Sequence, residues 1–541
     1  MNRFSVPAAV LIALLTTTCR LPADDRPNIL FVFADDWGRY ASIYNKLEPG
    51  TVNDVVRTPA FDQLVADGVL LRNAFVNAPS CTPCRSSLLS GQHFWRTGRG
   101  AILQGAVWNE EIPTFPLLLE QAGYQIAHSA KVWSPGTPAN APFGAARTAV
   151  SGGGQFNQFS QIVDRAVDTA AAQQRLTGEV AAVFRKFLQN RSPEKPFLYW
   201  WGPTNTHRKW IQGSGRKHWN IDPDSLQGRL SGHWPDVPVV REDMADYLGE
   251  VQAVDAGLAA LLGVLDDEHL RRNTLIIVSG DHGVPGMPSG KCNLYDLGTA
   301  VPLAVSWPGV IPPGRVIRDL VSLPDLAPTI LESAGVQIPS QMTGRSLWSV
   351  LKSDRAGLVE ADRDAVVCGR ERHVAAARTD QLPYPQRSIR TADFLYIHNF
   401  APERWPMGTA PGFGKAENVL PEAEELNRDT FAAFGDLDAS PTKTWLIQNG
   451  LADSQYRPFF DRAFARRPRE ELYDLKRDPE QLDNVADQPE YQQQKQLLAQ
   501  RLMKILRETN DPRVTTDPVI FEQPPFTDVF QNGGNSNSRK R

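Results

Sequence analysis

Three short apolar runs break off at groups that a protein core excludes. Pro27-Asn28-Ile29-Leu30-Phe31-Val32-Phe33-Ala34 stops at Asp35-Asp36. Pro196-Phe197-Leu198-Tyr199-Trp200-Trp201 leads into Gly202-Pro203-Thr204-Asn205-Thr206-His207-Arg208, and Thr274-Leu275-Ile276-Ile277-Val278-Ser279 into Gly280-Asp281-His282-Gly283. Runs this short, apolar on both faces, read as buried strands of a parallel sheet. Open α/β sheets bind ligands at the carboxyl ends of their strands. Two adjacent carboxylates at such an end are costly unless a cation sits on them. The three runs share one polarity, each ending in acid or histidine.

Helical segments separate the strands. Thr58-Pro59 opens a helix that closes at Gly68, Thr114 caps another ending near Gly123, residues 175–189 are amphipathic, and 241–265 form a long helix. Ser80-Cys81-Thr82-Pro83-Cys84-Arg85-Ser86-Ser87-Leu88-Leu89-Ser90-Gly91 also reads as a helix start. Pro83 lacks an N–H and suits the first turn. Cys81 then sits at the N-terminus, where unpaired backbone N–H groups attract anions. Arg85 lies about one turn along on the same face, placed to fork onto a tetrahedral oxyanion.

The chain has 541 residues, enough for two or three domains. A net charge of −4 argues against a broad nucleic-acid surface, so an anionic substrate needs a local basic pocket. Residues 1–23 read as a secretory signal too short to span a bilayer, which predicts a secreted or periplasmic protein. Lipid anchoring at Cys19 is the weaker reading, because threonines precede it. No later stretch reads as a membrane span. Five cysteines (19, 81, 84, 292, 368) are too few for a disulfide framework, and Cys81-x-x-Cys84 has no second pair to complete a zinc site.

Cys81-x-Pro83-x-Arg85 followed by Leu89-Ser90-Gly91 resembles the signature of type I sulfatases, with further matches from about residue 27 to 512. The resemblance implies an alkaline-phosphatase-like mixed α/β sheet flanked by helices. A smaller C-terminal α+β domain on an antiparallel sheet would follow. The expected divisions are 1–23 signal, 24–364 catalytic domain, 365–512 C-terminal subdomain and 513–541 disordered polar tail. The resemblance also implies that a formylglycine-generating enzyme oxidises Cys81 to formylglycine. Asp35, Asp36, Asp281, His282 and the modified residue 81 would then hold calcium. Arg85, Lys131 and Lys291 would neutralise charge on the sulfuryl oxygens, and His207 would protonate the departing amine or alcohol. His282 offers nitrogen where calcium prefers oxygen, so it is either a ligand or a group behind the ligands. A Cys81–Cys84 bond would block maturation.

One departure is plain. Where sulfatases carry Gly-Lys-x-His, this chain has Lys131-Val132-Trp133-Ser134, so Trp133 or Ser134 replaces the histidine. The loops Pro288-Ser289-Gly290-Lys291 and Tyr384-Pro385-Gln386-Arg387-Ser388 look most like the heparan N-sulfatase branch; Lys131-Val132-Trp133 and Asp281-His282 lean toward iduronate-2-sulfatase. The expected partner is a sulfated saccharide, with no nucleic acid; the oligomeric state stays open. A phosphonate or phosphodiester hydrolase of the same superfamily, or a non-catalytic glycan-binding relative, are the competing readings.

Overall fold

The computed structural model describes residues 26–409 and 421–527. The expected signal and Cys19 lie outside the described residues. Chain order gives strands β1 (Asn28–Ala34), β2 (Val69–Phe75), β3 (Gln125–Ala130), β4 (Phe197–Gly202), β5 (Thr274–Gly280), β6 (Leu303–Ser306) and β7 (Arg315–Ser322). They form one sheet in the order β3-β4-β1-β5-β6-β2-β7. β1 pairs in parallel with both β4 and β5, and β3 with β4; only β6 runs against its neighbours. The carboxyl ends of β3, β4, β1 and β5 therefore lie side by side.

Alternation along β1 divides the core. Leu30, Val32 and Ala34 face one side with α1 (Pro59–Ala66), α3 (Thr169–Asn190) and α4 (Pro238–Asp267). Ile29, Phe31 and Phe33 face the other, toward Leu88 and Leu89 of α2 (Cys81–Ser90). Burial on both faces is why these strands carry no polar alternation. Phe31 stacks on Trp200 with centroids 4.6 Å apart, adding to what area alone contributes. α4 is long and apolar enough to cross a membrane by length and composition, but most of that stretch is buried against the sheet.

A second sheet, order β11-β10-β9-β8, is antiparallel: β8 (Ala365–Arg370), β9 (Gln386–Thr391), β10 (Phe394–Asn399) and β11 (Glu470–Asp474). Leu498, Leu502 and Leu506 of α5 (Gln492–Glu508), one per helical turn, pack on Val367, Ile389, Tyr396 and Leu472. Residues 432–464 form a separate cluster around Phe434, Phe460 and Phe464 that reaches Cys292 beside the larger sheet's edge. The expected polar tail does not begin at 513. Arg513 ion-pairs with Glu371, and Phe521 and Phe526 are buried; two aromatics and a paired arginine give the segment 513–527 its own anchoring surface.

Candidate active site

The sheet's carboxyl edge brings the expected groups together. β1 delivers Asp35 and Asp36, and Asp36 takes a left-handed backbone (φ 55°), which aspartate tolerates better than most residues. Tyr247 of α4 fixes that turn: its hydroxyl donates to the Asp36 carbonyl (3.0 Å) and accepts from Gly38 N (3.0 Å). The Asp36 N–H donates to Asp281 Oδ1 at 2.7 Å, tying the ends of β1 and β5. Cys81 is the first residue of α2, after Ser80, and Gly91 closes the helix in a left-handed conformation (φ 64°).

Asp36, Cys81 and His282 offer ligand atoms within 4.8 Å of one another, as do Asp35, Cys81 and Asp281. His282 Nε2 stands 3.2 Å from Asp36 Oδ1, 3.5 Å from Asp281 Oδ1 and 3.4 Å from Cys81 Sγ. Its Nδ1 lies 3.2 Å from the Gly283 carbonyl, which leaves Nε2 directed at the carboxylates. Three buried carboxylates and an imidazole nitrogen gathered around Cys81 in these two sets fit a bound divalent cation. Burial, with Asp35 and Asp281 adding to it against Lys291 and His282, pushes Asp36 up to about 7, the mark of a carboxylate taken out of water. Burial and Asp35 push the Cys81 thiol well up, so as an unmodified cysteine it is a poor nucleophile.

Two lysines cap the cluster. Lys131 Nζ donates to both oxygens of Asp35 (2.7 and 2.8 Å), and Lys291 Nζ to Asp36 Oδ2 (3.1 Å). Burial opposes ionisation of Asp35, but Lys131 and Arg85 outweigh it and hold this carboxyl well below its usual range. His207 Nδ1 is 2.7 Å from the Arg208 carbonyl, leaving Nε2 toward the site, 3.9 Å from Asp36 Oδ2.

Arg85 is turned toward the carboxylates. Its Nε donates to Asp281 Oδ2 (2.9 Å), Nη2 to Asp35 Oδ1 (3.1 Å) and Nη1 to the Val132 carbonyl (3.1 Å), while its guanidinium lies 4.9 Å over Phe33. It is fully buried behind the carboxylates with its donors committed, so it braces the cluster from below instead of facing a sulfuryl group. Trp133 is also buried, with Nε1 on Ser86 Oγ (2.7 Å) and its ring edge-on to Trp108. Of the two residues that stand where sulfatases carry histidine, Trp133 is core and Ser134 lines the cavity. The four described cysteines are free, and Cys84 packs with Leu88 and Leu89 away from the site.

Asp35, Cys81, Lys131, His207 and Lys291 floor a cavity of about 860 Å³. Its far wall includes His373, Val374, Asp429 and Asp438 from the second half of the chain. His373 Nδ1 is 2.8 Å from Ser80 Oγ, one residue from Cys81. Sequence reasoning missed both His373 and Asp438. His373 had a signal, since it follows a strand end as Asp35 does; Asp438 sits in an irregular loop and had none.

The family model described as Sulfatase matches residues 27–336. The chain belongs to the sulfatase family. Sulfatases hydrolyse sulfuric esters and sulfamates, and this sulfatase also matches, over residues 288–401, the model described as N-sulphoglucosamine sulphohydrolase, C-terminal. It is similar to human N-sulphoglucosamine sulphohydrolase, 29% identical over 552 aligned positions that cover 96% of this chain and 97% of that one. Solved structures share its alkaline-phosphatase-like fold. One, bound to its substrate D-glucosamine-2-N,6-O-disulfate, superposes with TM-score 0.57 at 19% identity, over 90% of this chain and 98% of its own. Another, a phosphonate monoester hydrolase from Silicibacter pomeroyi, gives 0.57 at 17% identity, over 90% and 96%.

Proposed function

We propose that this sulfatase removes sulfo groups, as sulfate ester or sulfamate, from a sulfated glycan, with N-sulfated glucosamine as the foremost substrate. The observation that carries the reading is the convergence of Asp35, Asp36, Asp281 and His282 on Cys81 under two lysines. Such a floor holds a cation and an oxyanion together. The human relative's name and the glucosamine disulfate bound to one structural neighbour support the sugar.

Asp35, Asp36 and Asp281, with His282, are the residues to hold calcium, an ion suited to a carboxylate-rich set. Calcium would polarise a sulfuryl oxygen, and formylglycine at position 81, made by a formylglycine-generating enzyme, would supply the oxygen nucleophile that a buried thiol cannot. Lys131 and Lys291 stand where sulfuryl oxygens gain charge. His207 Nε2 faces the cavity as the proton carrier for the leaving group. Arg85 helps keep Asp35 ionised and orients both Asp35 and Asp281.

The test is the mass of the peptide containing Cys81 in protein made with a formylglycine-generating enzyme, alongside turnover of the Cys81→Ala variant. An aldehyde in place of the thiol, with turnover abolished in folded Cys81→Ala, is the expected result. An unmodified thiol, or undiminished sulfo release by the variant, would sink the reading. The likeness in fold to a phosphonate hydrolase keeps a second reading in view, and an aryl phosphonate assayed beside an aryl sulfate discriminates the two.

A further inference from the structure

Asp438 lines the catalytic cavity with its side chain 20% exposed; its buried Oδ2 turns toward Lys291, which leaves the other carboxylate oxygen for the cavity. Its nearest charge is Lys291 Nζ at 3.5 Å, and that same ammonium reaches Asp36 at 3.1 Å. Asp438 is therefore one side chain removed from the carboxylate cluster. The loop is braced on both sides. Asp436 is locked by Arg370 and Arg378, Ala439 N donates to Thr430 Oγ1, and Ser440 Oγ donates to the Gly286 carbonyl. Burial opposes charge on Asp438, but Lys291, then His207 and His373, hold the carboxyl well below its usual range. An ionised, braced carboxylate whose second oxygen is left to the cavity can take a donor from the ligand.

The chemistry of the two candidate bonds differs at one atom. A sulfate ester places a bridging oxygen beside the sulfuryl group, which has lone pairs and no proton, so a carboxylate there repels it. A sulfamate places nitrogen there, and that nitrogen carries an N–H. We propose that Asp438 selects nitrogen-linked sulfo groups by accepting the sulfamate N–H and then holding the ammonium of the released amino sugar. The inference rests on the sulfohydrolase reading above. The reaction balances as R–NH–SO₃⁻ + H₂O → R–NH₃⁺ + SO₄²⁻: the S–N bond breaks, its electron pair stays on nitrogen, and nitrogen gains two protons. The new positive charge thus appears next to Asp438.

The experiment compares wild-type holoenzyme with Asp438→Asn, and with Asp438→Ser should the amide disturb packing. Each is assayed on N-sulfoglucosamine and on 4-nitrophenyl sulfate. Loss of one charge-assisted hydrogen bond is expected to lower kcat/KM on the sulfamate about 10- to 100-fold. The ester has no N–H, so the sulfamate-to-ester ratio should fall at least about 10-fold. Binding gives a readout independent of turnover: glucosamine should inhibit the variant about 10-fold less well, with N-acetylglucosamine unchanged. Equal losses on both substrates, or undiminished sulfamate turnover and glucosamine affinity, would overturn the assignment. A wild type that cleaves O-sulfated but not N-sulfated glucosamine would overturn Asp438 alone, and one that cleaves no sulfo substrate would overturn both readings.

Discussion

Arg85 has two acids to satisfy and no water to share them with. Asp35 and Asp281 are both buried, and each takes one arm of the guanidinium. Replacing it by methionine keeps the apolar stem, leaves Asp35 to Lys131 alone and takes from Asp281 its one arginine, a loss of about 3–5 kcal/mol for a broken buried pair. Calcium would supply some of the missing positive charge and bind only the folded chain. Arg85→Met is therefore expected to melt well below wild type in chelator, with the gap narrowing in saturating calcium. An equal gap in both conditions would mean that Arg85 supports packing and not the carboxylates. The four groups at strand ends were legible because a charged residue after a buried run has one place to go. The Arg85 contacts were not legible, because helical spacing fixes which face it occupies, not which acids the sheet brings under that face. Asp438 was illegible because only tertiary docking brings its loop to the cavity.

At the scale of elements, α4 does more than cover the sheet. Its acids reach out of the buried face to hold loops: Asp243 takes Arg208, Asp246 the amides of Gly213 and Gly215, Glu250 the side chain of Asn205, and Asp255 the amides of Ala60 and Phe61 at the start of α1. The helix itself was legible from its apolar period, but acids at such spacing ordinarily mean a solvated face. β6, by contrast, is four residues long and antiparallel, with nothing local to mark the reversal. Burial raises Asp255 to about 7, against the pull of the Ala60 and Phe61 amides, from an ordinary value of 3.8. Between about pH 4 and 7 the folded chain then holds a proton that the unfolded chain has lost, so this group's contribution to stability falls as pH rises. Asp255→Asn lacks that titration and one acceptor. Its deficit in thermal stability is expected to be largest near pH 4 and to shrink toward pH 7. A deficit that is constant or grows with pH would show that Asp255 is ionised in the fold.

For the whole molecule, the cavity is a joint product. The larger sheet supplies the floor, and the second sheet supplies the wall, because β8 runs straight into Glu371-Arg372-His373. Arg387 of β9 sets that strand end: Nη2 donates to Glu371 Oε1 (2.9 Å), while Nε and Nη2 grip Asp511 (2.6 and 3.0 Å) just beyond α5. All three side chains are fully buried. The late chain therefore reaches the active site through two guanidiniums on Glu371, those of Arg387 and Arg513. Arg387→Met leaves Glu371 and Asp511 each short of a partner, and the same buried-pair arithmetic gives about 3–5 kcal/mol of destabilisation. Its effect on function should be one-sided. The carboxylate cluster hangs from β1 and β5 and makes no contact with Arg387, so the calcium-induced rise in melting temperature should match wild type. His373 is two residues from Glu371, so KM for the amino sugar should rise more than kcat falls. If calcium stabilisation vanished along with substrate affinity, floor and wall would be one cooperative unit, and the division of labour between the sheets would be wrong.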